Sequence, residues 1–239
     1  MKIAGTILLL AVAVPAASQI PDEFTNLKVL PADIAKGALV QTMRGFSFAL
    51  GVRCEHCHVG AADFSNADFA SDDLEPKRVA RRMLQMVKAI NGEHIAGLGR
   101  TETLDVSCFT CHRGVSRPEP IESILSGTIE ESGLQAAIAK YREMREDHYG
   151  SASYDFHQVP LNRLAEDLMA AGKPAEAAVI LELNDEFNPD SGWIHQLQGE
   201  AYTAAGEREK AIAALERALA IDPENPRVKA KLEELRKEK

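Results

Sequence analysis

The feature that most constrains this chain is the placement of its four cysteines, which all lie in two short motifs of identical pattern. On one helical turn, two cysteines three residues apart share a face, and a histidine directly after the second lies beside the first. Both thiols can then bond to the vinyl groups of one haem while the imidazole reaches its iron, which is the chemistry of c-type haem attachment. We therefore predict two haem c groups, with the two histidines as axial ligands of iron. The motifs are Cys54-Glu55-His56-Cys57-His58 and, 54 residues later, Cys108-Phe109-Thr110-Cys111-His112.

Two other interpretations of the cysteines are open. They could form a four-cysteine zinc site, but zinc ribbons usually separate their cysteine pairs by about 15 to 20 residues. In this chain, 50 residues lie between Cys57 and Cys108. They could also form two disulfides, which an even number of cysteines in an exported protein permits. Neither alternative accounts for a histidine directly after each pair.

Residues 1–18 have the composition of a secretory signal peptide. The positive charge of Lys2 precedes an apolar run from Ile3 to Val14, and small residues occupy positions 16–18. The apolar run is shorter than a stable membrane span requires. We expect a periplasmic or otherwise extracytoplasmic protein with no transmembrane anchor after the signal peptide is removed.

The charge of the chain disfavours binding to nucleic acid. The net charge is -9, and residues 119–239 carry 14 Lys and Arg against 24 Asp and Glu. Haem propionates would make the first half of the chain acidic as well. A surface of this charge does not attract a phosphate backbone.

An amphipathic helix is predicted before each cysteine motif, because the apolar residues recur at spacings of 4, 3 and 4. Gly51 is placed to end the first helix, and Pro76 suits the first turn of the second. The thioether of methionine is a suitable sixth ligand of haem iron, although a methionine on such a stripe can equally be a core residue. The stripes are Leu39, Met43, Phe46 and Leu50, then Val79, Met83, Met86 and Ile90 before Asn91-Gly92.

Residues 22–117 resemble the multihaem cytochrome subunit of photosynthetic reaction centres and its non-photosynthetic relatives. In that family, each methionine-ligated haem takes its distal ligand from the helix before its own motif, 11 residues before the first cysteine in one haem and 22 in another. Met43 stands 11 residues before Cys54, and Met86 stands 22 before Cys108. The resemblance thus implies Met43 and Met86 as axial ligands, with Met83 as the alternative one turn away. The segments that carry it are 29–31, 44–46, 50–60, 86–91 and 108–114.

The chain also departs from that family. The reaction-centre subunit carries four haems, whereas this chain has two motifs, so the family's bis-histidine haem has no attachment site here. His94 is a further candidate ligand in place of Met86, although its spacing does not fit the family pattern. His56 is expected to be exposed. The arginines near the motifs could bind a haem propionate or remain solvated surface charges; they are Arg53, Arg100, Arg113 and Arg117.

The C-terminal half repeats with a period of 34 residues. Small residues recur at positions 8 and 20 of the repeat, and a proline closes its second helix, a pattern typical of the tetratricopeptide repeat. We predict full repeats at about 158–191 and 192–225, and a capping helix at 226–239. Trp193, His195 and Tyr202 could contact a partner protein or pack within the repeats. The matching pairs are Leu164/Gln198, Ala165/Gly199, Leu168/Tyr202, Gly172/Gly206, Ala177/Ala211, Leu181/Leu215 and Pro189/Pro223.

The sequence therefore predicts an all-α protein. It would consist of the signal peptide, a small dihaem cytochrome c domain at 19–118, a linker at 119–129 and a tetratricopeptide-like module at 130–239. Methionine and histidine together fill the axial positions of iron, which indicates an electron carrier with redox partner proteins rather than an enzyme. The alternatives are a peroxidase-like dihaem enzyme with one five-coordinate iron, and a redox-sensing repeat scaffold. The sequence identifies neither the electron donor nor the acceptor.

Overall fold

The computed structural model describes residues 20–62, 67–100 and 104–237. Within these ranges the chain forms ten α-helices and no strand, with one isolated bridge between Val59 and Asp68. The predicted all-α class is confirmed. The predicted signal peptide, 1–18, lies outside the described residues. None of the described helices combines the length and apolar character that crossing a membrane requires.

The chain divides into two compact units, Met1–Ser116 and Arg117–Lys239. In the first unit, α1 spans Lys36–Leu50, α2 spans Glu75–Ala89 and α3 spans Cys108–His112. Helix α1 ends at Gly51, whose φ of 64° is left-handed, as glycine readily permits. The second motif thus forms a short α-helix.

Helical turns continue directly after α2. A π-helical turn, Ile90–Ile95, and a 3₁₀ turn, Ala96–Leu98, extend it to Gly99. The side chain of Asn91, within the π-helical turn, pairs with the backbone of Val106.

The first unit has very few buried apolar side chains. Among its described residues only Leu39, Ala49, Ala61 and Val115 are buried apolar residues. Helix α2 buries none of its 15 residues, and its apolar stripe is exposed: 42% at Val79, 40% at Met83 and 47% at Met86. A segment of this length needs a larger core to fold by itself. The protein atoms of this unit therefore leave the apolar face of α2 uncovered.

The second unit is a series of helical hairpins with a continuous core of 27 buried apolar residues. Helices α4 and α5, α6 and α7, and α8 and α9 form three antiparallel pairs, and α10 packs on α9. The helices are α4 Ile121–Ser132, α5 Leu134–His148, α6 Gln158–Ala170, α7 Pro174–Phe187, α8 Gly192–Ala204, α9 Arg208–Ile221 and α10 Pro226–Lys237.

The linker predicted at 119–129 is wrong, because most of it lies in α4. Ile121, Leu125 and Ile129, spaced by four, form one buried stripe of this helix. The acidic and serine-rich residues between them concealed the stripe. A helix from about Glu130 to His148 is also expected from the sequence. Helix α5, Leu134–His148, covers most of this range, and residues 130–132 belong to the end of α4, which meets α5 at Gly133 with a φ of 87°.

Small residues allow the helices of each hairpin to approach closely. Ala165, Ala177 and Ala211 are completely buried. At Gly199, an added Cβ atom would lie 2.5 Å from the side chain of Leu215. The small side chains at positions 8 and 20 of the repeat therefore have the packing role that the sequence predicts.

The three candidate contact residues of the repeats differ in exposure. His195 is buried, and its Nε2 atom lies 2.9 Å from the carbonyl oxygen of Pro189. The Tyr202 hydroxyl donates a hydrogen bond to Glu182 at 2.5 Å. Trp193 is 39% exposed. His195 and Tyr202 thus pack within the repeats, and of the three only Trp193 presents a large accessible surface.

Candidate functional site

The first cysteine motif is wound into a single helical turn. A 3₁₀ helix spans Cys54–His56, and the amides of Cys57 and His58 both donate to the carbonyl oxygen of Cys54, at 3.2 and 3.0 Å. The turn brings the His58 backbone next to Cys54, as the spacing predicts. Cys54, Cys57 and His58 are each partly accessible, so a group bound on this turn can reach them.

The second motif forms α3, and its first turn is closed by local hydrogen bonds. The amide of Thr110 donates to the carbonyl oxygen of Ser107 at 3.1 Å, and the Ser107 amide donates to the Thr110 hydroxyl at 3.0 Å. The helix ends at Arg113, which adopts a left-handed backbone with φ of 51°. These bonds hold Cys108 at the first residue of α3.

The His112 ring is oriented by a backbone carbonyl. Its Nδ1 atom lies 3.0 Å from the carbonyl oxygen of Val115. Donation from Nδ1 to this oxygen favours the tautomer in which Nε2 keeps its lone pair, the arrangement common for histidines that bind a metal. His112 is therefore prepared to act as a ligand through Nε2.

The His58 ring has a different environment. The edge of its ring meets the Phe69 ring, with the centroids 5.2 Å apart. Burial lowers the pKa of His58, and the nearby ammonium of Lys77 lowers it further, while the Phe69 backbone acts in the opposite direction. A lowered pKa keeps the imidazole neutral near pH 7, and the neutral form is the one that binds iron.

The cysteines do not have the arrangement of a zinc site. All four are free thiols, and burial raises the pKa of Cys57 and of Cys108, which disfavours the thiolate form that zinc needs. No cluster of three or more His, Cys, Asp or Glu side chains suited to a metal ion occurs in the described ranges. The geometry therefore supports neither the four-cysteine zinc site nor the disulfides.

Helix α1 contacts the second motif, although it precedes the first. The Gly114 amide donates to the Ala49 carbonyl oxygen at 2.9 Å. At Gly51 an added Cβ atom would lie 1.9 Å from the carbonyl oxygen of Gly114. The Phe48 and Phe109 rings are stacked at 5.2 Å with their planes 13° apart. The two motifs are thus joined through one helix, which sequence spacing does not indicate.

The candidate distal ligands lie on the helices where the sequence places them. Met43 is partly buried on α1. Met83 and Met86 are both exposed on the apolar stripe of α2, and at three residues apart they face the same side. His56 and His94 are exposed. The structure keeps both Met83 and Met86 available as candidates.

Asn91 is a positioning residue that the sequence analysis missed. Its amide nitrogen donates to the Val106 carbonyl oxygen at 2.8 Å, and its amide oxygen accepts from the Val106 amide at 2.9 Å. These two bonds tie the end of α2 to the chain two residues before Cys108. The pairing partner of Asn91 lies 15 residues away in the sequence, so only the tertiary structure shows this role.

We expect Asn91→Asp to destabilise residues 20–116 by about 1–3 kcal/mol, because a carboxylate cannot donate to the Val106 carbonyl and repels it. Thermal unfolding of the haem-bound protein measures this change in the free energy of unfolding. Gln85→Glu is the matched control, since it makes the same amide-to-carboxylate change at an exposed position of α2. Equal stability of the two variants would show that the two hydrogen bonds between Asn91 and Val106 do not stabilise the protein.

The four arginines near the motifs all have exposed side chains. The side chains of Arg53 and Arg117 are each 84% exposed, and each lies near a carboxylate, Glu55 at 3.6 Å and Glu119 at 2.7 Å. Exposed pairs of this kind contribute little to stability. Arg100 and Arg113 are also exposed.

The residues of the first unit fit a covalently bound haem. Each motif offers two thiols and an imidazole on one helical turn, and α2 offers an uncovered apolar face that carries two thioethers. Burying a large apolar group on that face would supply the core that the unit otherwise lacks. The donor set of thiols, imidazole and thioether is the one that haem c uses.

Comparison with known proteins gives two family matches, of which the first covers part of both units. The family described as photosynthetic reaction centre cytochrome C subunit matches residues 11–168, and a tetratricopeptide repeat family matches residues 168–235. The second match agrees with the 34-residue period of the sequence.

The curated relatives are longer cytochromes. The photosynthetic reaction center cytochrome c subunit of Thermochromatium tepidum is 30% identical over 152 residues, which is 63% of this chain and 32% of the relative. Cytochrome c-554 of Chloroflexus aurantiacus is 42% identical over 66 residues, 28% of this chain and 14% of the relative. The chain therefore spans about a third or less of these relatives. Among solved structures, the first tetratricopeptide domain of Spaghetti (RPAP3) bound to an HSP90 peptide is 18% identical, with a TM-score of 0.35 over 48% of this chain and 87% of that one.

Proposed function

The chain belongs to the photosynthetic reaction centre cytochrome c subunit family, and from this premise we propose that it is an extracytoplasmic electron-transfer protein with two covalently bound haem c groups. The observation that carries the proposal is the apolar face of α2, which is exposed among the described residues of a unit that also contains both cysteine motifs. A bound haem would account for the motifs and for the missing core together.

The residues have separate roles in this proposal. Cys54 and Cys57 would attach the first haem and Cys108 and Cys111 the second. His58 and His112 would be the proximal ligands, with His112 held by the Val115 carbonyl. Met43 and Met86 would be the distal ligands, with Met83 as the alternative to Met86.

When bound, haem iron alternates between Fe(III) and Fe(II) and so carries one electron. A histidine and a methionine bound to each iron would leave no ligand position free for oxygen or peroxide, and the apolar stripe of α2 would exclude water. These residues therefore favour electron transfer over bond chemistry on a substrate. Redox partner proteins would supply and accept the electrons.

The tetratricopeptide module would dock a protein partner. Arrays of this kind present accessible helix faces along the stack, and Trp193 offers an accessible aromatic side chain on α8. The acidic balance of residues 119–239 favours a partner with a basic surface. A pull-down with full-length oxidised and reduced protein would show whether docking depends on the haem charge, as a redox-sensing scaffold would require.

The proposal is tested with protein produced in a host that matures c-type haems. We expect two haems per chain and a weak near-infrared band from methionine-bound iron in the oxidised protein. Met43→His and Met86→His should each remove the contribution of one haem to this band. A colourless protein would overturn the proposal, and unaltered spectra in Met86→His with altered spectra in Met83→His would assign the second ligand to Met83.

Ligand binding separates the carrier from the peroxidase-like alternative. If a histidine and a methionine bind each iron, cyanide and carbon monoxide can bind only by displacing the methionine. Rapid binding at one haem with its methionine band retained at the other would favour the enzyme. Export is tested separately: the purified protein should begin near residue 19.

A further inference from the structure

Lys77 is a nearly buried cation whose hydrogen bonds all serve one short loop. Its side chain is 11% exposed. Its ammonium donates to the carbonyl oxygens of Phe69 at 2.9 Å, Ala70 at 3.0 Å and Ser71 at 2.5 Å. An ammonium has three donors, so this loop uses all of them.

The loop that Lys77 holds forms one wall of the first cysteine motif. The Asp68 amide donates to the Val59 carbonyl oxygen at 2.8 Å, directly after His58. The Asp68 carboxylate accepts from the amides of Ala70 and Ser71, both at 2.9 Å. Phe69 then meets His58 edge to face. The position of the His58 ring thus depends on a loop fixed by Asp68 from one side and by Lys77 from the other.

The charges around this loop are predominantly positive. Asp72 accepts hydrogen bonds from Lys28 at 2.6 Å and from Arg81 at 2.7 Å, and it lies 3.4 Å from the Lys77 ammonium. The side chain of Arg81 is 17% exposed. Arg78 donates to the carbonyl oxygens of Asp72 and Asp73 as well. Four cations, Lys28, Lys77, Arg78 and Arg81, therefore contact a loop that carries the three carboxylates of Asp68, Asp72 and Asp73. Lys77 and Arg81 are largely buried, so water screens their charges incompletely.

A backbone group acts on each histidine ring, Phe69 on His58 and Val115 on His112, so this contact does not distinguish the two motifs. The Val115 carbonyl accepts a hydrogen bond from Nδ1 of His112, and such a bond makes an imidazole a stronger donor to a metal. A stronger donor favours Fe(III). A positive charge favours Fe(II), because reduction adds an electron to the site.

We propose that Lys77 is a positioning residue for the first haem site, holding the Phe69 loop against His58 and keeping a positive charge there, so that the first haem has the higher reduction potential. This inference rests on the proposed function, because it requires both haems.

The potentials are measured by spectroelectrochemical titration of the full-length holoprotein. Cys54→Ala labels the first haem, because it leaves one vinyl group unsaturated and shifts the absorption of that haem alone. The labelled haem should be reduced at the higher potential. A reduction potential lower than that of the unlabelled haem would overturn the proposal, and this test needs no substitution of Lys77.

Lys77→Gln then tests the residue itself. The reduction potential of the labelled haem should fall by about 59 mV, which is a tenfold change in a one-electron equilibrium. The potential of the other haem should not change. Amides of residues 67–71 should exchange hydrogen faster. Lys77→Arg should restore the potential. Lys88→Gln is the matched control: this exposed lysine of α2 bonds to the Val29 carbonyl, and its loss should change neither potential.

The outcomes distinguish this inference from the proposed function. A protein without two haems would overturn both. If Lys77→Gln shifted the reduction potentials of both haems equally, or of neither, only the role of Lys77 would be overturned. The same holds if Lys88→Gln shifted the potential of the labelled haem as much as Lys77→Gln does.

Discussion

Without haem, residues 20–116 will fail to form a protease-resistant unit, whereas residues 117–237 of the same molecule will remain folded. The first unit has four buried apolar residues in its described part, and the second has 27. The stability of a small domain, on the order of 5 kcal/mol, depends on apolar burial that the first unit cannot obtain from its own side chains. The whole stability of the first unit should therefore be lost.

The experiment uses the natural sequence, expressed without a c-type haem maturation system and kept reduced to prevent disulfides. Limited proteolysis should leave one fragment that begins near residue 117. The holoprotein is the control and should protect both units. Hydrogen exchange should show rapid exchange throughout α1 and α2 in the haem-free protein. Equal protection of both units without haem would contradict the proposal that haem supplies the core.

Gly51→Ala will destabilise the haem-binding unit by at least about 2 kcal/mol, because two penalties coincide there. A left-handed backbone, here with φ of 64°, costs about 1–2 kcal/mol for a residue with a Cβ atom. The new atom would lie 1.9 Å from the Gly114 carbonyl oxygen, so the backbone must separate and weaken the bond between Gly114 and Ala49. The unfolding temperature of the holoprotein should fall by about 8 °C or more.

Gly37→Ala is the control for this substitution. Gly37 lies in the first turn of α1, and an added Cβ atom meets nothing within 4 Å. Alanine favours the helix there, so stability should stay equal or rise by up to about 1 kcal/mol. A Gly51→Ala protein as stable as Gly37→Ala would show that α1 does not need its close contact with the second motif.

The contact between α1 and the second motif would also link the two proposed haem sites. Helix α1 carries Met43 on one stripe, while its end holds Gly114 and Phe109. A disturbance at Gly51 should therefore affect the spectra of both haems, and not only that of the motif it precedes. The same absorption measurement that detects unfolding will show this.

The errors of the sequence analysis have a common origin. Residues 119–129 look like a linker because their apolar residues stand among serines and glutamates and form a weak stripe, which α5 and α6 nevertheless bury. The role of Asn91 was missed because Val106 supplies its partners from 15 residues away. In each case a distant part of the chain determined the outcome.

The sequence by itself determined the chemistry of the two motifs, the helices that precede them, the tetratricopeptide period and the family. These features depend on the spacing of residues within one turn or one repeat, and the geometry of a helix converts that spacing directly into position. The tertiary structure decided that α1 joins both motifs, that Lys77 fixes the loop beside His58, and that α4 belongs to the repeat module. Such contacts depend on which distant surfaces pack most favourably, and no local pattern contains that information.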